Sequence, residues 1–462
     1  MRGKEKPLGL GQDRAAKNTA MNWRREDKMT NSMKQKVSRR SVLRSGVRLA
    51  AASSVLSAPM VNTAWAANDT IKVGFMAPLS GIRSSFTATT EHTIATVRES
   101  LKDGLTIGGT TYNVDIVVKD NQSTPTRSVQ VGNELILKEN PDLILVADAE
   151  GATAIGPIAD ARGIPTLSTM GPWQAWAFSR KYDPAKGFPY TFHFFFGADE
   201  LGRIFPSMWN HLGNNHKIGA LFSDNDAGRV MSHPKIGFPP AFKKAGYEIA
   251  ADTGLFRLDT DDFSTQISEF KRAGVEIVAG TAFENHMATF WNQAAQMGFQ
   301  PKICTIAAGL LFPSSVNNLG DRGDGMSTEV WWTPDMPFAS SLTGQSAADV
   351  AAAYTAASGA QWTQPLGYEH ALFEIGVNAL KSSGNPKDRD AVRDALAVSR
   401  TETVMGTVDF GGSPLKSVGL THTVGGQWQK ASEGPFKFNL EIVDNSTNPA
   451  VNATADFKAL AY

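Results

Sequence analysis

Residues 141–173 constrain the fold more than any other stretch, because they read as strand, loop, helix, strand and second loop. Residues 142–147 are a short apolar run, residues 154–162 carry helical spacing, Gly163 closes that helix, and residues 164–168 resume an apolar run. A β-α-β unit of this kind belongs to a parallel sheet with a right-handed crossover. Its two loops, 148–153 and 169–173, then leave the carboxyl ends of neighbouring strands, where open α/β sheets hold their ligands. They are expected to form one wall of a binding cleft.

The same alternation extends in both directions. Upstream, strands are expected at 71–76 and 112–118, each followed by a helix. With the 141–173 unit these give a first α/β lobe. A Lys-, Pro- and Gly-rich loop at 181–188 and an aromatic strand at 190–196 mark a crossover. The pattern then restarts, with strands at 217–222, 247–250, 275–279 and 302–307 and helices between them. A chain of 462 residues exceeds one ordinary core, so two lobes also suit its length. Helices are expected at 347–357, 368–381 and 390–398. Residues 404–412 should be a strand entering a glycine turn, with 427–429 on its hairpin partner and a polar, poorly ordered tail beyond Glu441.

The zero net charge conceals two unlike parts. Residues 1–66 hold 14 Lys plus Arg against 4 Asp plus Glu, leaving 31 against 41 in the remainder. An acidic body argues against nucleic acid or an anionic membrane surface as its partner. The basic part reads as an export signal. Ser38-Arg39-Arg40-Ser41-Val42-Leu43-Arg44 resembles the twin-arginine motif, residues 49–58 form an apolar core, and Ala64-Trp65-Ala66 fits a cleavage site. A mature chain would start at Ala67. The alternative is a basic disordered tail, and Met1, Met21, Met29 and Met33 are all candidate starts. A single cysteine, Cys304, allows no disulfide framework and sits in an apolar run as a small hydrophobe. No stretch after the signal offers 18 uninterrupted apolar residues.

A series of motifs runs along the chain in order: Ile71-Lys72-Val73-Gly74 with Pro78-Leu79-Ser80-Gly81, Arg162-Gly163-Ile164-Pro165, Asp224-Asn225-Asp226-Ala227-Gly228, Asp262-Phe263-Ser264, Gln293-Ala294-Ala295-Gln296-Met297-Gly298 and Val404-Met405-Gly406. In this order they resemble the periplasmic solute-binding proteins of ABC importers, of the leucine/isoleucine/valine-binding type. The resemblance covers 71 to about 430. It implies the type I periplasmic-binding fold, in which two Rossmann-like lobes joined by three crossover strands close on a solute. The expected organisation is lobe 1 at 67–192, lobe 2 at 193–312, returns to lobe 1 at 313–404 and to lobe 2 at 405–440, and a tail at 441–462. The third crossover falls near 404–406.

The resemblance also implies where a ligand would sit: Ser80, Phe86, Glu150, Gly151, Thr153, Ser168, Thr169 and Trp173 in the first lobe, and Asp226, Ala227, Thr281, Glu284 and His286 in the second. Four positions depart from amino-acid binders of the family. Glu150 stands where a carboxylate-binding serine is usual, Pro172 where a threonine is, Ala227 where a tyrosine is, and His286 at the ammonium-binding acid, two positions from Glu284. At 4 Å and an effective dielectric near 20, Glu150 would repel a ligand carboxylate by about 4 kcal/mol. The expected solute is therefore polar-aromatic, amide-like or cationic, with Trp173 and Trp176 available to stack on it.

Each residue has a plainer reading. Glu150 could be a solvated loop charge, Trp173 and Trp176 could pack under the 177–188 loop, Asp224 and Asp226 could cap a turn, and His286 could start a helix. At most one of Trp331 and Trp332 should face the cleft, because they alternate across a strand. Asp259, Asp261 and Asp262 do not make a calcium loop, since Ser264 and Phe270 occupy its glycine and glutamate positions. No metal or cofactor is expected. Without a nucleophile paired to a base, the chain is expected to bind rather than turn over its solute, as a monomer that presents it to a permease. A sensor of the same fold, reporting to a signalling partner, is the alternative.

Overall fold

A computed structural model describes residues 69–462; the expected export signal and mature start at Ala67 lie outside them. The first sheet contains β1 (Thr70–Ala77), β2 (Leu105–Ile107), β3 (Thr110–Asp120), β4 (Leu143–Val146), β5 (Thr166–Ser168) and β6 (Thr191–Phe195). The second contains β7 (Lys217–Ser223), β8 (Glu248–Phe256), β9 (Ile277–Ala282), β10 (Ile303–Ala308) and β11 (Ser327–Val330). A hairpin of β12 (Arg400–Thr403) and β13 (Gly406–Asp409) follows, then β14 (Val418–Leu420), β15 (Val424–Lys430) and β16 (Phe438–Asp444).

The first sheet has the order β14-β6-β5-β4-β1-β3-β2 and the second β16-β15-β11-β10-β9-β7-β8. Pairing is parallel throughout except at β2–β3, β11–β15 and β15–β16. This is the α/β architecture of two parallel-sheet lobes expected from the β-α alternation. The chain crosses between the sheets three times: after β6, after β11 and after β14.

Central strands read as unbroken apolar runs because helices cover both faces. In β4, Leu143, Ile144, Leu145 and Val146 are all buried. The helix Ala149–Arg162 that follows is capped at both ends. The Asp148 carboxylate accepts from Gly151 N–H, and Gly163 ends the helix at φ 62°, a conformation glycine takes without Cβ strain. The expected loop at 148–153 is thus the helix's first turn, and Glu150 is held on rigid backbone. Its signal is an aspartate three residues before the N–H that it caps.

Several boundaries differ from expectation. β6 pairs with β5, which keeps residues 193–195 in the first sheet, and β11 pairs with β10, which keeps 327–330 in the second. Residues 405–420 do not enter the second sheet: β13 pairs only with β12 in a separate two-stranded hairpin, and β14 joins the first sheet parallel to β6. The third crossing therefore falls at 421–423, not 404–406. Gln427 faces Ser327 across β11–β15 rather than the 404–412 segment. Beyond Glu441 the chain is not a loose tail. β16 continues to Asp444, and Val451, Phe457 and Leu460 are buried. Leu460 N–H donates to the Lys302 carbonyl, tying the last residues to the second lobe.

Candidate functional site

One cavity lies where the carboxyl ends of both sheets meet, as expected for open α/β sheets. The first lobe contributes Pro78, Arg83 and Phe86 after β1, then Ala147, Asp148, Ala149, Glu150 and Thr153 after β4. Met170, Gly171, Pro172 and Ala175 come from the turn after β5, and Phe195 and Phe196 from the end of β6. Opposite them stand Asn225, Asp226, Ala227 and Met231 after β7, with Thr281 and Phe283 at the end of β9. Ala307, Ala308, Glu329 and Trp331 from β10 and β11 close the far side. About 80 Å³ is open to the centre of a water-sized sphere, several times what one water requires.

The walls are largely aromatic. Phe195 and Phe196 stack at 4.1 Å between ring centroids, and Trp331 meets Phe195 edge-on at 4.9 Å. Phe86 reaches from the first lobe to pack edge-on against Phe312 at 4.9 Å and alongside Trp331 at 6.0 Å. Next to it, Ser85 Oγ donates to Glu284 Oε2 at 2.8 Å. The short helical turn Ser84–Thr87 thus bridges from the first lobe to residues of the second, and the lobes are closed on each other.

Arg83 organises the polar end. Its Nη1 lies 2.7 Å from both Asp148 Oδ1 and Glu150 Oε2. Asp148 also accepts from Asn121 Nδ2 at 2.8 Å and Gly151 N at 2.9 Å, so one carboxylate both caps the helix and anchors the guanidinium. Burial is the main cause of a Glu150 pKa of about 7; Arg83 and Arg229 oppose the shift, while Asp148 and Asp226 add to it. Burial likewise raises Asp226, against the pull of Arg229 and Arg83. Glu329 is pushed by burial to about 7, although Thr328 Oγ1 (2.9 Å), Ala308 N (3.3 Å) and Trp331 Nε1 (3.4 Å) donate to its carboxylate.

Of the residues expected from the sequence, Phe86, Glu150, Thr153, Asp226, Ala227 and Thr281 line this cavity. The others are engaged elsewhere. Ser80 is bound to Asp120 near the surface. Gly151 is buried in the first helical turn with its N–H on Asp148. Ser168 Oγ pairs with His193 Nδ1 and Thr169 Oγ1 donates to the Phe194 carbonyl, so both are spent within the sheet. Trp173 packs edge-on to Phe178 and borders a separate surface groove, while Trp176 lies under the 177–188 loop against Phe188 and His193. Glu284 bonds to Ser85, and Asn225 rather than Asp224 or Asp226 caps the turn after β7. Buried His286 accepts at Nδ1 from Phe283 N–H and holds the Leu258 carbonyl through Nε2.

Arg83, Phe195, Phe196 and Glu329 were not among the expected residues. Glu329 carried a faint signal, a lone carboxylate between Thr328 and the apolar Val330-Trp331 pair. Trp331 lines the cavity while Trp332 is buried with its Nε1 on the Val404 carbonyl, so one of the two faces the cleft as expected, although both lie just past the end of β11 rather than within a strand.

Residues 70–419 match the model of the family described as periplasmic binding protein. Solved structures share the fold at low identity. The leucine-binding protein LivK from Thermotoga maritima has a TM-score of 0.65 and 18% identity, covering 82% of this chain and 99% of its own. LivJ from Streptococcus pneumoniae, solved with isoleucine, has a TM-score of 0.64 and 17% identity over 80% of this chain and 99% of its own. A solute-binding protein of an ABC transporter from Rhodopseudomonas palustris, in complex with 3,4-dihydroxybenzoic acid, gives 0.66 and 19% over 83% and 99%. With 350 of its residues matched in order, and a cavity between two parallel-sheet lobes, this chain belongs to the periplasmic binding protein family.

Proposed function

We propose that this chain is the extracytoplasmic solute-binding component of an ABC importer of the branched-chain amino acid type. It captures a small polar organic solute, such as an amino acid, amide or aromatic-polar compound, between its lobes and delivers it as a monomer to membrane permease subunits. It reaches the periplasm by the twin-arginine route and makes or breaks no bond in its solute.

The observation that carries this reading is the cavity itself, because strand-end residues of both lobes wall one space. A solute there gains contacts that exist only when the lobes meet, so it shifts the population toward the closed form. The relatives that hold isoleucine and 3,4-dihydroxybenzoic acid support a binding role and show that one fold accommodates aliphatic and aromatic guests. Glu150 at the cavity wall favours polar-aromatic, amide-like or cationic guests over a plain aliphatic amino acid. Native mass spectrometry of the purified mature protein, followed by small-angle scattering before and after solute removal, tests the reading. A retained solute whose loss expands the molecule is the expected result. Failure of every candidate solute to compact the protein would sink it, and micromolar binding led by leucine and valine would remove the preference.

A further inference from the structure

The charged groups at the cavity are unevenly balanced. One guanidinium, Arg83, shares the cavity lining with the carboxylates of Asp148, Glu150, Asp226 and Glu329. Arg83 is already committed to Asp148 and Glu150, and the nearby Arg229 is committed to Asp224 and Asp226. Two of the carboxylates come from opposite lobes, Glu150 from the first and Glu329 from the second. Phe86, Phe195 and Trp331 line the same cavity, and aromatic faces attract positive charge through the ring quadrupole. Arg83 supplies an independent sign of a missing guest. It is 6% exposed, lines the cavity, and keeps Nε and Nη2 without a hydrogen-bond partner. Such unsatisfied buried donors are costly, and an acceptor group on a bound solute would relieve them.

We propose that the solute is a ring-sized organic cation whose charged nitrogen is held by Glu150 and Glu329, with any acceptor group that it carries turned toward Arg83. This rests on the solute-trap reading and narrows it to one charge class. An organic anion would instead meet up to four carboxylates in a partly dehydrated space, where like charges are screened least.

Proton linkage gives the class a measurable sign. Glu150 and Glu329 each titrate at about 7. The charged groups facing Glu150 are Arg83, Asp148, Asp226 and Arg229, whereas Glu329 meets the neutral Thr328, Ala308 and Trp331. A cation prefers the ionised carboxylates, so its binding strengthens as pH rises through 7 and releases protons. An anion shows the opposite sign.

The test is calorimetric titration of the solute-free full mature chain with benzylamine, benzamide and benzoate at pH 5.5, 7 and 8.5. Benzylamine is expected to bind at least about tenfold more tightly than benzoate at pH 8.5, and to tighten about tenfold or more from pH 5.5 to 8.5 with proton release. Glu329→Gln and, separately, Glu150→Gln should weaken benzylamine about tenfold more than they weaken benzamide, and flatten its pH profile. Tighter benzoate binding, a falling pH profile for benzylamine, or no benzylamine binding overturns the proposal. If the naturally retained solute still compacts the protein in that case, the trap reading survives. If nothing compacts it, both fall.

Discussion

Arg83 shows how much one side chain can hold. With its head group buried between Asp148 and Glu150, its removal would leave two carboxylates facing each other without a countercharge. Breaking a buried pair of this kind costs about 3–5 kcal/mol. Arg83→Ala is therefore expected to lower unfolding free energy by about 3 kcal/mol in urea titrations. A change below about 1 kcal/mol would show that the cluster relaxes into protonated carboxyls instead. A second residue-scale prediction concerns Glu369, buried in the helix Pro365–Ser382. Thr90 Oγ1 donates to one of its oxygens and the other has no partner. Burial pushes its pKa from 4.5 to about 8. Because the folded value is raised, the stability it confers is full below pH 4.5 and is lost as pH rises through 8. Glu369→Gln removes that loss, so the variant should gain on the parent by about 1–3 kcal/mol between pH 5 and 8.5. Parallel stability curves would refute it. Neither residue was legible as a charge with a role. Glu150 and Asp226 follow strand ends and Thr281 lies at one, so the strand-end rule and the resemblance point to them together. Arg83 sits on an aperiodic turn, and Glu369 lies inside a helix whose burial depends on its neighbours.

At the scale of elements, the reading worked where apolar runs are continuous and failed where a short strand could join either sheet. β4 and its helix carry their own signals: four apolar residues, an aspartate cap and a closing glycine. β14 has only Val418-Gly419-Leu420, and nothing local says that its partner is β6, more than 200 residues earlier in the chain. The polar C-terminal stretch misled for a related reason. Its apolar residues, Val451, Phe457 and Leu460, are too sparse to show a period, yet each is buried. Meanwhile the amides of Gln427 and Gln429 donate to the carbonyls of Lys458 and Asp456. Truncation after Pro449 would expose these apolar contacts and leave amides in β15 short of acceptors. At about 1.5–3 kcal/mol for each large apolar side chain, the truncated protein should lose at least about 3 kcal/mol in urea unfolding. Unchanged unfolding would show that the final residues only rest on the second lobe.

At the scale of the whole molecule, closure depends on contacts across the gap as well as on the solute. Ser85 and Glu284 join the lobes at 2.8 Å and neither lines the cavity, so this pair reports closure separately from recognition. Phe86 does both, lining the cavity and packing on Phe312 and Trp331. A closed form weakened relative to the open one lowers apparent affinity by the competent fraction, even when every solute contact is kept. A part-buried hydrogen bond of this kind contributes about 0.5–1.5 kcal/mol. Glu284→Ala should therefore weaken solute binding about 2–10-fold, mainly through faster release, and scattering should show a less compact loaded state at subsaturating solute. Phe86→Ala removes a larger apolar contact worth about 1–3 kcal/mol, and is expected to weaken binding about 5–150-fold. The two together separate the roles. Loss of affinity in Phe86→Ala alone would assign the turn at Ser84–Thr87 to recognition of the solute. Losses in both, with expansion of the loaded state in both, would make that turn the catch that keeps the lobes together.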